Sequence, residues 1–193
     1  MPPISGEQLN QIRDERREQI IQAAAKVFAK RGIAGTKMSM VAAEAGISHG
    51  LVYHYFKTKN ELFTTLIQGA IEASISSIEG LNRIQGSALE KIRLLTKHIL
   101  DQEKAPYFML IYQANHSDGV PEEAKQLLRE YPQQAYIERL LPTFRDGQLE
   151  GDIVEGDLVN LVGSYFTILS GIMVLGEGYH IPELEFVMRT ITK

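Results

Sequence analysis

The stretch from Ser48 to Lys59, SHGLVYHYFKTK, places hydrogen-bonding rings, a small residue and two cations at helical spacing. On a helix, His49 with Tyr53 and Gly50 with His54 are i, i+4 neighbours. The four share one surface once Val52 and Phe56, a further such pair, turn inward. The chemistry open to this surface is recognition rather than bond-making. An imidazole at His49 can donate to or accept from a base edge. Tyr53 and His54 can reach a phosphate or a thymine methyl, and Gly50 lets a duplex approach closely. Lys57 follows directly. Lys59 falls in the first turn of the next helix, where its ammonium and the free backbone amides can together hold one phosphate.

Other chemistries lack their residues. The chain has no cysteine, which removes disulfide scaffolds, thiolate metal sites and cysteine nucleophiles. None of the five histidines, His49, His54, His98, His116 and His180, forms a spaced ligand pair with a carboxylate, so no metal is expected. There is no Gly-x-Ser-x-Gly, the run Gly147-Gln-Leu-Glu-Gly151 has no nucleophile, and no glycine loop is built to cradle phosphate. The expectation is a protein that is not an enzyme and needs no cofactor. The formal net charge of −4 argues weakly against nucleic acid, but it is unevenly spread. Residues 1–60 carry nine Lys/Arg against five Asp/Glu, and residues 61–193 carry eleven against nineteen, so the basic part contains the candidate surface. At 193 residues, 44% hydrophobic and 23% charged, the chain is globular and makes one unit or two small ones. Its start lacks the basic-then-apolar order of a signal peptide, which points to the cytoplasm.

Helices must position this surface, because no sustained apolar/polar alternation bounded by hairpin turns appears. The first is expected from Glu7 to Lys30, with Ile20, Ala24, Val27 and Phe28 as its buried stripe and Gly32 as its stop. Two short helices, Met38–Ala45 and His49–Phe56, are joined at Gly46-Ile47-Ser48, where glycine permits a sharp turn and Ser48 can cap the second helix. Thr58 and Glu61 spell a capping box opening a helix to about Asn82, and Ser87 and Glu90 spell another. Pro106 and Pro121 suit helix starts, and Pro132 should break the periodic run Glu122–Leu141. The apolar run Pro106–Tyr112 should be buried. Leu158–Gly176 is uncharged and long enough to cross a membrane. It has a small or polar face (Asn160, Gly163, Ser164, Thr167, Ser170, Gly171) opposite an apolar one (Leu158, Leu161, Val162, Tyr165, Ile168, Leu169, Ile172). Its flanks, Glu155, Asp157 and Glu177, lack orienting Lys/Arg, so a helix inside a bundle with no membrane partner fits better.

Thr36, Val41-Ala42, Ala45-Gly46-Ile47-Ser48, Gly50, Val52-Tyr53, Tyr55-Phe56, Lys59 and Glu61-Leu62, after the Phe28…Gly32 end of helix one, resemble the N-terminal signature of the TetR/AcrR family of bacterial regulators. The resemblance implies an all-α chain with a three-helix helix-turn-helix DNA-binding domain at 1–60 and a helical ligand-binding and dimerisation domain at 61–193. It implies a homodimeric, ligand-responsive transcriptional regulator, a repressor that binds a pseudo-palindromic double-stranded operator and is released by a small-molecule effector. By position, it makes Tyr53 and Lys59 phosphate contacts and Thr36 a backbone contact, and puts His49 and Leu51 where specificity is set. Ser39-Met40 departs from a frequently charged pair. The DNA-contacting set is thus Thr36, Ser39, Ser48, His49, Gly50, Leu51, Tyr53, His54, Lys57 and Lys59. Phe108, Tyr112, His116, Phe144, Tyr165 and Phe166 are candidates to line an effector cavity. Asn160, Gly163, Ser164, Thr167 and Gly171 are candidates for the dimer interface, built from Leu158–Leu175 and Pro182–Ile191. Two alternatives stay open: a small-molecule-binding or enzymatic bundle without a DNA role, and a membrane-attached protein.

Overall fold

The computed structural model describes residues 6–175 and 179–193, and every regular element among them is helical. Gly176 and Glu177, at the end of the uncharged run, lie outside the described residues. Helix α1 (Gly6–Gly35) buries nothing before Ile20, then Ile20, Ala23, Ala24, Ala25, Val27 and Phe28. Its helical conformation breaks at Gly32 (φ 67°, ψ 174°), the residue expected to stop it. Helices α2 (Met38–Glu44) and α3 (His49–Tyr55) follow, and then the long α4 (Lys59–Gly80), which ends in a 3-10 turn at Leu81–Arg83.

The helices beyond are α5 (Ala88–Ile99), α6 (Ala105–His116), α7 (Glu122–Glu130), α8 (Gln133–Glu150), α9 (Leu158–Leu175) and the short α10 (Leu184–Met188). Ser87 and Glu90 close the expected capping box at α5. The box at α4 forms only by half. Thr58 Oγ1 accepts from the Glu61 amide, but the Glu61 carboxylate accepts from the Lys57 amide, one residue before the cap. Pro132 ends one helix and begins the next, as expected, whereas Pro142 lies inside α8 and leaves one carbonyl there without its usual helical donor.

Two apolar cores divide the molecule. The first gathers Phe28, Val41, Val52 and Phe56 with Leu62, Phe63, Leu66 and Ile71 of α4. It also takes Leu110 and Ala114 of α6, Val120, and Ala124 of α7. The second gathers Ile92, Leu140, Phe144, Val162, Tyr165, Leu169 and the C-terminal Val187, Met188 and Ile191. Helix α4 runs through both, with Ile78 in the second. The first core therefore continues well past residue 60. Among the described residues, an antiparallel bridge between Ile153 and Thr192 ties the chain end to the α8–α9 connection.

Two burial expectations need correcting. Within Pro106–Tyr112 only Leu110 is buried, and Tyr112 is 47% exposed. Helix α6 packs mainly on α1 and α9, so its apolar composition spans two seams and an open edge instead of one enclosed axis. Helix α9, at 18 residues and mean hydropathy 1.9, is long and apolar enough to cross a membrane by length and composition. In the fold, Val162, Tyr165, Leu169 and Met173 bury one of its faces, while Ile168 of the expected apolar face is exposed.

Candidate nucleic-acid interface

The turn between α2 and α3 is built from backbone bonds that the local sequence specifies. Gly46 takes φ 64°, which lets its amide reach the carbonyl of Ala43 (3.1 Å) and lets the Ile47 amide reach Ala42 (3.0 Å). This is the paired pattern that closes a helix on a left-handed glycine. Ser48 then starts α3, its Oγ accepting from the Leu51 amide at 3.3 Å. Val52 and Phe56 turn into the first core, as their spacing predicts.

The opposite face of α3 is open. His49, Gly50, Tyr53 and His54 are exposed, and Leu51 is half-buried. The rings of His49 and Tyr53 meet edge-on at 4.9 Å, so each limits the other's freedom before any partner arrives. A Cβ at Gly50 would touch nothing, so the helix surface there is clear for close approach. Lys57 folds its ammonium toward the carbonyls of Tyr53 and His54, both at 3.3 Å, at the exposed end of the helix. Ser39 is exposed on the first turn of α2.

Two of the expected contact residues point elsewhere. Thr36 is buried, and its hydroxyl donates to the Gly32 carbonyl (2.7 Å). Lys59 is half-buried, and its ammonium donates to the carbonyls of Ile33 (2.6 Å) and Thr36 (3.1 Å). The family resemblance put both beside the duplex, and local pattern is silent on which way a side chain turns.

The α1 face against the turn supplies contacts the sequence did not disclose. Arg16 donates to Gln19, and Gln19 donates to the carbonyl of Ala45 (2.6 Å), which satisfies the end of α2. Arg17 lies over the Phe56 ring at 5.3 Å.

This arrangement is a recognition helix presented by a braced turn, and its relatives have the same architecture. Residues 20–66 match the family described as bacterial regulatory proteins, tetR family. The chain is 30% identical over 137 residues to the HTH-type transcriptional repressor SCO4008 of Streptomyces coelicolor, covering 70% of this chain and 66% of the relative. The chain belongs to the TetR family. It is also 30% identical over 89 residues to the HTH-type transcriptional activator FasR of Mycolicibacterium smegmatis, covering 46% of this chain. That match spans only 41% of FasR's length. Among solved structures, the ketosteroid transcriptional regulator KstR2 of Mycobacterium tuberculosis superimposes with a TM-score of 0.69 at 20% identity, over 92% of this chain and 95% of that one. The TetR architecture, a helix-turn-helix followed by a helical bundle, therefore extends beyond the matched N-terminal segment.

In the TetR-family body the six candidate cavity residues differ in burial. Phe144 and Tyr165 are fully buried and pack on each other at 5.3 Å. Tyr112 and His116 are exposed and stacked at 4.4 Å, with His116 Nδ1 held 2.7 Å from the Tyr112 carbonyl. Phe108 and Phe166 are half-buried. Burial pushes the Tyr165 hydroxyl well above the usual tyrosine range. That hydroxyl pairs with Thr96 Oγ1 at 2.8 Å, and since Thr96 donates to the Ile92 carbonyl, Tyr165 is the donor. A separate open cleft of about 160 Å³ lies between α4 and α7, floored by Ile71, Ile75 and Leu127 and edged by Glu72, Glu130 and Tyr131. Of the candidate dimer residues, Asn160, Ser164, Thr167 and Gly171 are exposed along α9, and Gly163 faces Ile137 of α8.

Proposed function

We propose that this chain is a ligand-responsive transcriptional regulator that binds operator DNA as a homodimer in the cytoplasm and acts as a repressor. The observation that carries the reading is the His49–Gly50–Tyr53–His54 face. It is open to solvent on a helix whose other side is locked into a core and whose two ends are capped. A rigid donor-rich helix with a clear glycine step is suited to the major groove, with Leu51, Ser39 and Ser48 at its edge and Lys57 toward the phosphates. Helix α3 carries no acidic residue, so nothing on it repels the backbone. The acidic excess beyond residue 60 disfavours other orientations.

The exposed stripe Asn160, Ser164, Thr167 and Gly171 on α9 is the proposed seat of a second copy, and two heads held that way read the two halves of a pseudo-palindrome. An effector bound in the body lowers operator affinity by favouring a different separation of the heads. The α4–α7 cleft is where such a ligand would press on the helix that runs directly from the reading head. Footprinting on the DNA flanking the chain's own gene, with and without candidate ligands, tests the proposal. A protected two-fold site is the expected result, with His49→Ala changing the preferred base at one position per half-site. Absence of protection at low salt would overturn it, and a site that raises transcription when occupied would make the chain an activator instead.

A further inference from the structure

Helix α3 lacks the side chains that most often read bases. Between His49 and Tyr55 it holds no Asn or Gln to pair with adenine and no Asp or Glu to accept from cytosine. It also holds no Arg or Lys to donate to guanine. Leu51 offers apolar surface suited to a thymine methyl, and Gly50 offers no side chain. Within α3, polar reading therefore falls to the exposed His49, Tyr53 and His54, and two of these are imidazoles. Each imidazole is braced edge-on by a tyrosine ring, His49 against Tyr53 at 4.9 Å and His54 against Tyr55 at 5.4 Å. Among the described residues neither imidazole makes a side-chain hydrogen bond or an ion pair, so its nitrogens are open to a partner. The charged groups that neighbouring elements bring to this head are engaged away from both rings or stand apart from them. On α1, Arg16 donates to Gln19 and Arg17 lies over Phe56. At the start of α4, Glu61 accepts from the Lys57 amide, while Lys57 and Lys59 each place their ammonium near two carbonyls. Helix α2 contributes Lys37 before its first turn and Glu44 at its end, both exposed, and Glu44 forms no ion pair with either ring.

A neutral imidazole has one donor and one acceptor, whereas an imidazolium donates at both nitrogens. Guanine presents two acceptors side by side on its major-groove edge, N7 and O6, and no donor. A proton on either ring finds no carboxylate partner within the chain, but in the groove it makes a charge-assisted bond beside the phosphates. We infer that His49 and His54 read guanine as imidazolium, so that each half-site presents guanine beneath these rings and operator binding takes up protons. The inference rests on the DNA-binding reading above and names what its recognition helix reads. Imidazoles change charge between about pH 5 and about 8, so operator affinity falls as pH rises through neutrality. Each proton taken up on binding makes affinity fall about tenfold per pH unit.

The experiment uses the full chain, an operator obtained by selection from randomised duplexes, and an unrelated duplex, all at one ionic strength. From about pH 6.5 to about 8, operator affinity should fall at least about tenfold, and affinity for the unrelated duplex less than about threefold. Calorimetry in buffers of different ionisation enthalpy counts the protons directly, and about one or more per reading head is expected. Glutamine keeps a donor at a similar reach, carries no charge at any of these pH values, and pairs with adenine. His49→Gln and His54→Gln should therefore each flatten the pH dependence in part. Each should also move the selected base from guanine towards adenine at its own position. The double variant should be flat. Both side chains are exposed, so these variants leave the core intact. A half-site without guanine at the positions these variants change, or a well-bound operator whose affinity ignores pH, would overturn the inference. A pH dependence that survives in the double variant would overturn it too, and would trace the protons to other groups, such as His98, His116 and His180. If the wild-type chain binds no duplex at any pH, the DNA-binding reading itself fails and takes the inference with it.

Discussion

The two cores of the molecule are held together by different means. Around the first, polar side chains reach across long stretches of sequence to backbone carbonyls: Gln19 to Ala45, Lys59 to Ile33 and Thr36, Gln113 to Ala29. Around the second, apolar side chains enclose the buried Thr96–Tyr165 pair, and polar ties lie at its edge, where the Ala88 amide donates to the Glu150 carboxylate and Arg93 pairs with Glu185. Backbone-directed bonds fix angles, whereas apolar contacts fix proximity. Under the proposed function, the reading head would need fixed angles and the body would need room to repack around a ligand. The first core also contains Leu110 and Ala114 of α6, so the head shares its interior with part of the body. The largest test of this comparison is Leu110→Ala. Leu110 is fully buried, and its truncation should cost about 2–5 kcal/mol. The loss should appear as faster amide exchange in α1 and α3 before α9. Exchange rising first in α9, with α1 unaffected, would show that α6 belongs to the body alone.

A smaller effect probes the second core. Tyr165→Phe removes the donor to Thr96 but leaves Thr96 bonded to Ile92, so the expected cost is about 1 kcal/mol. Its pH signature is more distinctive. Burial holds the folded Tyr165 hydroxyl protonated well above its ordinary value near 10, while the unfolded chain ionises there. The unfolded state then binds fewer protons than the folded one, so this contribution is intact below pH 10 and is lost as pH rises past it. Tyr107 and Tyr136 are raised in the same direction, mainly by burial. Stability should therefore fall on alkaline titration, and the fall should be shallower in Tyr165→Phe. Identical slopes for the two proteins would mean that Tyr165 opens to water before the core does.

How far the sequence could be read follows the same division. The turn at Gly46, the cap at Ser48 and the outward set His49, Gly50, Tyr53 and His54 are local, set by neighbours within four residues, and the structure places each as the spacing predicts. Lys59 and Thr36 carry the right types at the right places, but their direction depends on carbonyls freed by the break at Gly32. Gln113 gave no signal, because its partner lies 84 residues away. The aromatic candidates for a cavity were chosen by type, and type does not separate a ring locked in a core, as Phe144 is, from one stacked on the surface, as Tyr112 is.

The smallest expected effect sharpens the comparison from the outside. Helix α7 joins the first core through the fully buried Ala124, and on its outer face Arg129 donates to Glu122 at 2.6 Å. That bond holds the Glu122 carboxyl below its usual range. Any support it lends is present above the unfolded value near 4.5 and is lost as pH falls, but both groups face water, where such pairs contribute little. Arg129→Ala should leave the melting temperature unchanged at neutral pH, and 1 M salt should leave the exchange protection of α7 unchanged. A clear loss in either would mean that α7 is held to the head by charge. The long-range polar ties around the first core would then extend to its outer surface, and the cleft between α4 and α7 would open and close with ionic strength.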